Sequence, residues 1–417
     1  MTIAALKDDW TIPWGGGRRV GTDPNGWLNT RTGGQGFYIT PQSSRRATRV
    51  SPRERLLSAA EANSGLTVVT DALAEKVLLE RTPGGQQRAV EVTYLAGHHL
   101  YQASPDAPSL TESQRASRRR TIRARKEVIL AGGCFNSPQL LMLSGIGPAS
   151  HLRSVGIEPK VDLPAVGTNF QDRHEATTVI EMDTAFSALD DYDLTGAEDD
   201  PGVAKWEKLT KFSVYGSNGA PFFIRRRYSK GPRRAEIALL GVLGEFYNFR
   251  PGWVDVSLGK PSNKFTWITV KAYSQSRTGT VRLRSADPTA TPVINKRSFD
   301  DGRGGAYDVG AVKEGIETAR RINRRSKIRY EEIAPGPNAD LDSYIRKEQF
   351  GHHGSCTNPI GASNDPAAVL DSKHRVRGTI GLRVVDASAF REIPGSFIWA
   401  PVAQLSERAA QEILKDA

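Results

Sequence analysis

Residues 127–145, EVILAGGCFNSPQLLMLSG, constrain this chain more than any other stretch. The run from Glu127 to Ala131 reads as a short apolar strand of the kind buried in a parallel sheet. Gly132 and Gly133 break it, and Asn136, Ser137 and Pro138 supply the cap and first-turn proline of a helix that continues to Gly145. A strand that turns through glycines into a helix is half of a βαβ unit. At least part of the chain is therefore wound α/β structure.

The remaining segments differ in character. Ser51-Pro52 followed by RERLLSAAEA predicts a helix ended by Gly65, with Ser51 as its cap and Glu54 in the first turn. Residues 66–80 predict two short strands, and residues 88–101 alternate enough to pair with them. Residues 102–120 are polar and proline-bearing, which predicts a surface excursion. From 164 to 345, strand-like runs such as TTVIEM, AEIALLGVL and KFTWITVKAYS sit between proline- and glycine-bearing loops, predicting a largely antiparallel sheet. Val312, Ile316, Ala319 and Ile322 form one stripe of a helix over 311–322. GLRVVDAS is an apolar strand ending in Asp386, and PVAQLSERAAQEIL closes the chain as an amphipathic helix.

Composition removes several classes of function. No apolar run approaches the about 20 residues that span a bilayer, and 14 Phe, 11 Tyr and 7 Trp supply a core. The two cysteines, Cys134 and Cys356, make neither a disulfide framework nor a zinc site, and no metal constellation is evident. Both read as small buried apolar residues. The net charge of +11 is spread over separate basic runs with only isolated aromatics, a solvated surface rather than a nucleic-acid groove. The first residues lack a basic stretch followed by an apolar one, so no secretory signal is expected and the expected location is cytoplasmic.

At GGCFNSPQLLMLSGIGP, residues 132–148, the sequence resembles the glucose-methanol-choline (GMC) family of flavin-dependent oxidoreductases. PAVGTNFQDRH (164–174), GTVRLRSADPTATPVIN (279–295) and GLRVVDASAF (381–390) followed by APVAQLSERAA agree in collinear order, from roughly residue 35 onward. The resemblance implies α/β plus α+β structure: an incomplete FAD-binding, doubly wound domain and an antiparallel-sheet substrate domain. Residues 35–163 and 346–417 would belong to the former and 164–345 to the latter. FAD is the implied cofactor, with Val69, Gly132, Gly133, Asp386, Ala387 and Pro401 as the residues near it. For Asp386 the plain alternative is a helix cap.

The GxGxxG turn with which members hold the ADP part of FAD is not found. Gly15-Gly16-Gly17-Arg18-Arg19-Val20-Gly21 has the wrong spacing and follows Pro13-Trp14. The chain thus looks like the C-terminal two-thirds of a member, and a separate chain supplying the missing unit is one expected partner.

Members oxidise an alcohol by hydride transfer to flavin while a histidine takes the hydroxyl proton. In GHHGSCTNPIG, residues 351–361, His353 matches that base, with His352 as the alternative. Neighbours on an extended segment point oppositely, so only one is expected to face the flavin. The second catalytic position falls on Phe397, which neither donates a hydrogen bond nor accepts a proton. Ser396 and the Trp399 indole are the substitutes nearby. The implied function is oxidation of a small-molecule alcohol at its CH–OH group. The competing readings are a catalytically incompetent paralogue or fragment and a flavin-retaining lyase such as a hydroxynitrile lyase.

Overall fold

In the computed structural model, which describes residues 24, 34–63, 65–187, 192–208, 213–217, 219–257, 263–395 and 397–416, apolar strands of the middle third build the larger sheet. It has six strands in the order Gly36–Ile39, Phe222–Arg226, Ile237–Leu243, Lys264–Lys271, His174–Met182 and Tyr330–Ala334. Every pairing is antiparallel. The helix Arg303–Arg325 covers one face: Ala311, Ala319 and Ile322 pack with Ile180, Ile224, Leu239, Phe265 and Trp267. Burying each such large apolar side chain contributes about 1.5–3 kcal/mol. The indole of Trp267 donates to Asn323 Oδ1 of the same helix at 2.8 Å, so its burial leaves no orphan donor. At the end of its strand Lys271 is fully buried, with Nζ 3.6 Å from Glu236 Oε2 and 3.6 Å from Asp308 Oδ1.

The chain forms two units, each assembled from three separate stretches of sequence. One takes residues up to 68, 174–272 and 306–351, the other 69–173, 273–305 and 352–417. The sequence-based breaks fall instead at 163/164 and 345/346. Residues 36–39 join the first unit because they pair with Phe222–Arg226. Residues 280–295 go with the second because Val281 packs on Cys134 and Phe170, and Leu283 joins the cluster containing Leu141.

The second unit holds the wound α/β piece. Val128–Leu130 pairs in parallel with Leu382–Val384, bringing together segments 256 or so residues apart in sequence, as in the partnership of Arg383 with Glu127. Ala72–Arg81, Gln87–Ala96 and Arg119–Arg123 form an antiparallel meander, and Thr379–Ile380 adds to it in parallel. Among the described residues no helix is long and apolar enough to cross a membrane. The fold is mixed α/β with antiparallel sheets.

Two local expectations change. Residues 66–80 hold one long strand, Ala72–Arg81, rather than two short ones, because bulges near Lys76 and Leu79 let the pairing run on. The helix after the glycines begins at Gly133, so Pro138 lies inside it. Ser137 is therefore not its cap; from inside the helix its Oγ accepts from Gly132 N at 3.0 Å. The helix Pro52–Ala62 has the expected Ser51 cap, with Glu54 completing a capping box. The glycine-rich stretch 15–21 lies outside the described residues.

Candidate active site in the second unit

The segment bearing the histidine pair is held on both sides. Gln171 and Ser355 exchange backbone hydrogen bonds at 3.1 and 2.9 Å. Beyond them, Cys356 N donates to Ala387 O, Asn358 N to Ser388 O and Ile360 N to Ala389 O. Asn169 and Gln171 side chains donate to Arg391 O, tying the same loop to the chain after the C-terminal strand. Residues 169–172, 353–360 and 386–391 thus form one hydrogen-bonded unit, although they are far apart in sequence.

His353 is 6% exposed, and His352 beside it is exposed. Their rings are 4.1 Å apart at 39°, so the two do not point to opposite sides as an extended segment requires. The reason is local: residues 351–354 have no regular strand geometry. Phe397, 38% exposed, brings its ring to 5.4 Å from that of His353. The second position of the pair predicted from sequence is therefore beside the first, and it is apolar. Trp399 starts the closing helix Trp399–Asp416 and is exposed. Ser396 lies outside the described residues.

Burial, and then the Arg173 guanidinium, push the His353 imidazole down to about 4, while Asp172 opposes them. The ring is neutral at physiological pH. Asp172 Oδ1 accepts from His353 N at 2.9 Å and from Arg173 N at 2.8 Å. Lys296 Nζ lies 3.1 Å from Asp172 Oδ2.

Gly132, Gly133 and Asp386 meet at the carboxyl ends of the two parallel strands, where open α/β sheets leave their ligand crevice. Asp386 Oδ2 accepts from Gly133 N at 3.0 Å and from Ser137 Oγ at 2.5 Å, and Oδ1 accepts from Ser388 N at 2.7 Å. Its carboxylate holds the glycine turn and the start of the helix. Gly133 has φ +78, and a Cβ added there would meet nothing within 4 Å, so the turn presents bare backbone to open space. At Gly132 a Cβ would sit 3.1 Å from Asn136 and 3.2 Å from Ser137 N, tighter than most side chains allow. The start of this 11-residue helix is therefore open on the side where a Gly133 side chain would stand, while its two glycine amides are held by Asp386 and Ser137. Ala387 opens the short 3-10 turn after Asp386, and Pro401 is in the first turn of the closing helix. Val69 is 54% exposed on the segment before Ala72–Arg81.

Cys134 and Cys356 are buried free thiols. Burial raises both, Cys356 to about 12 and Cys134 further, so neither is a thiolate nucleophile. Elsewhere in this unit His151 Nε2 accepts from Leu283 N at 3.2 Å, and His98 Nδ1 lies 2.8 Å from Asp71 Oδ1.

Asp172, Arg173, Lys296 and Thr357 were not singled out from sequence. The adjacent opposite charges of Asp172-Arg173 were the available signal, but their meeting with residue 353 is a tertiary event.

The chain is similar to the glucose methanol choline oxidoreductase atC of Aspergillus terreus, 33% identical over 317 residues, covering 70% of this chain and 49% of the relative. It is 33% identical to an oxygen-dependent choline dehydrogenase of Rhizobium etli, covering 73% of this chain and 54% of the relative. It spans about half the length of these curated relatives. Among solved structures, a formate oxidase of Aspergillus oryzae studied for modification of its FAD superposes with TM-score 0.73 at 21% identity. That match covers 92% of this chain and 66% of the other and shows the shared fold. The family's N-terminal model, described as GMC oxidoreductase, matches residues 17–175, so its N-terminal domain is represented from before residue 35. Its C-terminal model, with the same description, matches residues 274–406. With both models matched over more than half its length, the chain belongs to the GMC oxidoreductases.

Proposed function

We propose that this chain carries the catalytic site of an FAD-dependent oxidoreductase that oxidises the CH–OH group of a small-molecule alcohol. The observation that carries the reading is His353, a buried imidazole kept neutral beside the Phe397 ring. A neutral ring nitrogen can take the hydroxyl proton of the substrate. When bound, FAD supplies the acceptor for the hydride leaving the carbinol carbon. Gly132, Gly133 and Ala387 would hold it through bare or turn backbone, with Pro401 and Val69 as further neighbours. Asp386 would act by fixing the Gly133 amide. Phe397 would pack on the substrate side, giving shape but no hydrogen bond to a developing alkoxide. The choline dehydrogenase relative, whose named substrate bears a hydroxyl, agrees with this substrate class.

The test is anaerobic bleaching of flavin absorbance by a panel of primary and secondary alcohols. His353→Ala should slow reduction by about 10²–10⁴-fold, whereas reduction at the parental rate would remove His353 from the role. A second reading draws on Phe397: a catalytically incompetent paralogue, which has no hydrogen-bonding group at the second position. Fluorescence titration showing no FAD uptake by the purified chain would favour it.

A further inference from the structure

We infer that the strand Arg119–Arg123, at the rim of the meander in the second unit, is a docking edge that takes an extended acidic segment of a partner protein as an added strand. Residues 115–126, RASRRRTIRARK, carry seven basic side chains and no acidic one. Among the described residues Arg119–Arg123 pairs with Gln87–Ala96 alone, so its other side is open. Ala124 N donates to Val90 O at 2.7 Å, and Ile122 with Val92 and Arg120 with Tyr94 follow at the two-residue period of an antiparallel ladder. Thr121 and Arg123, which alternate with them, turn their N–H and C=O groups away from the sheet. Thr121, Ile122 and Arg123 are consecutive and all exposed, so both faces of the strand are uncovered as well as its edge. Ile122 is a large apolar side chain left 53% exposed.

Charge selects the occupant. Glu75 takes Arg119 through hydrogen bonds of 2.7 and 2.8 Å, Glu112 and Asp287 take Arg115, and Glu127 is held by Arg383. Glu91 stands opposite Arg123 in the ladder. Those carboxylates leave Arg118, Arg120 and Arg125, all exposed, without an acidic partner among the described residues. Arg120 donates instead to the backbone carbonyls of Ser117 and Arg119. A second copy of this edge would set arginine against arginine, which repels. A single-stranded nucleic acid would need aromatic rings for its bases to stack on, and residues 115–126 contain none. An acidic peptide in extended form meets every open group. It brings carboxylates to the arginines, an apolar side chain to Ile122 and main-chain hydrogen bonds to Thr121 and Arg123.

The experiment is fluorescence anisotropy of the full chain with a labelled peptide of about eight residues, glutamates flanking two central valines. The parent should bind it saturably and lose affinity as salt is raised. The same peptide methylated at its backbone nitrogens keeps every charge but cannot donate to the strand, and should bind about tenfold more weakly or worse. Arg120→Glu combined with Arg125→Glu, both at exposed positions, should weaken binding of the unmethylated peptide by about tenfold or more. The methylated peptide tests the unaltered chain, so the result stands even if the double variant fails to fold. No binding by the parent at low salt overturns the proposal. So does equal binding of the methylated peptide, which would mean charge attraction without strand pairing, and so does parental binding by the folded double variant. A single-stranded oligonucleotide of equal charge that binds as tightly as the peptide would mark the edge as a surface for any polyanion and overturn it too. None of these readouts needs flavin, so loss of the proposed alcohol oxidation leaves them untouched, and the reverse also holds.

Discussion

The hydroxyl of Thr357 donates to the carbonyl oxygen of Cys134 at 2.7 Å. Pro138, inside the helix Gly133–Leu143, has no N–H to give to that carbonyl four residues earlier. Thr357 fills the vacancy from a strand of chain 223 residues away in sequence. One hydrogen bond thus satisfies the helix and anchors the segment that carries His353.

Removing that hydroxyl should be costly. Thr357→Val leaves the Cys134 carbonyl buried without its partner and should cost about 1–3 kcal/mol, while Thr357→Ser should retain most of the stability. Urea unfolding of the two variants separates the cases, and equal midpoints would discount the bond.

The His353 imidazole gives a pH dependence of known sign. Its folded value of about 4 lies below the ordinary histidine value of about 6.5. Between those values the unfolded chain binds the extra proton, so stability rises with pH there. The contribution is complete above about 6.5 and is lost as pH falls toward 4, on the order of 3 kcal/mol in all. His353→Gln should flatten this part of the stability–pH curve, measured by denaturant midpoints from pH 4.5 to 7.5.

Both thiols should be silent in the native protein. With Cys356 pushed up to about 12 and Cys134 higher, the thiolate fraction at pH 8 is about a thousandfold or more below that of a thiol with the ordinary value of about 8.5. A disulfide reagent should therefore titrate the two cysteines only after denaturation. Rapid labelling under native conditions would contradict their burial.

In the first unit, Lys271 is enclosed with Glu236 and Asp308, all three without solvent exposure. Lys271→Met leaves two buried carboxylates short of their cation and should destabilise by about 3–5 kcal/mol. Thermal or denaturant unfolding measures it, and a loss below 1 kcal/mol would mean that the cluster is already balanced by its other partners.

The strand–glycine–helix passage, the stripe Val312, Ile316, Ala319 and Ile322, the antiparallel character of the middle third and the family were legible in the sequence. Each depends on local spacing or on a contiguous motif, where backbone preference and periodic burial act over a few residues. The start of the helix at Gly133 was not legible, because the partner that makes Pro138 tolerable lies at Thr357. Nor was the side-by-side arrangement of His352 and His353, since an irregular backbone removes the alternation that a strand would impose.

What the sequence determined by itself was which segments are strand or helix, and which two side chains, His353 and Phe397, to put forward as the candidate pair. Tertiary structure alone decided their electrostatics. Asp172 reaches the His353 backbone across 181 residues and Lys296 reaches Asp172 across 124, and the charge state of a buried group depends on its desolvation and on such distant neighbours rather than on the residues beside it in the chain.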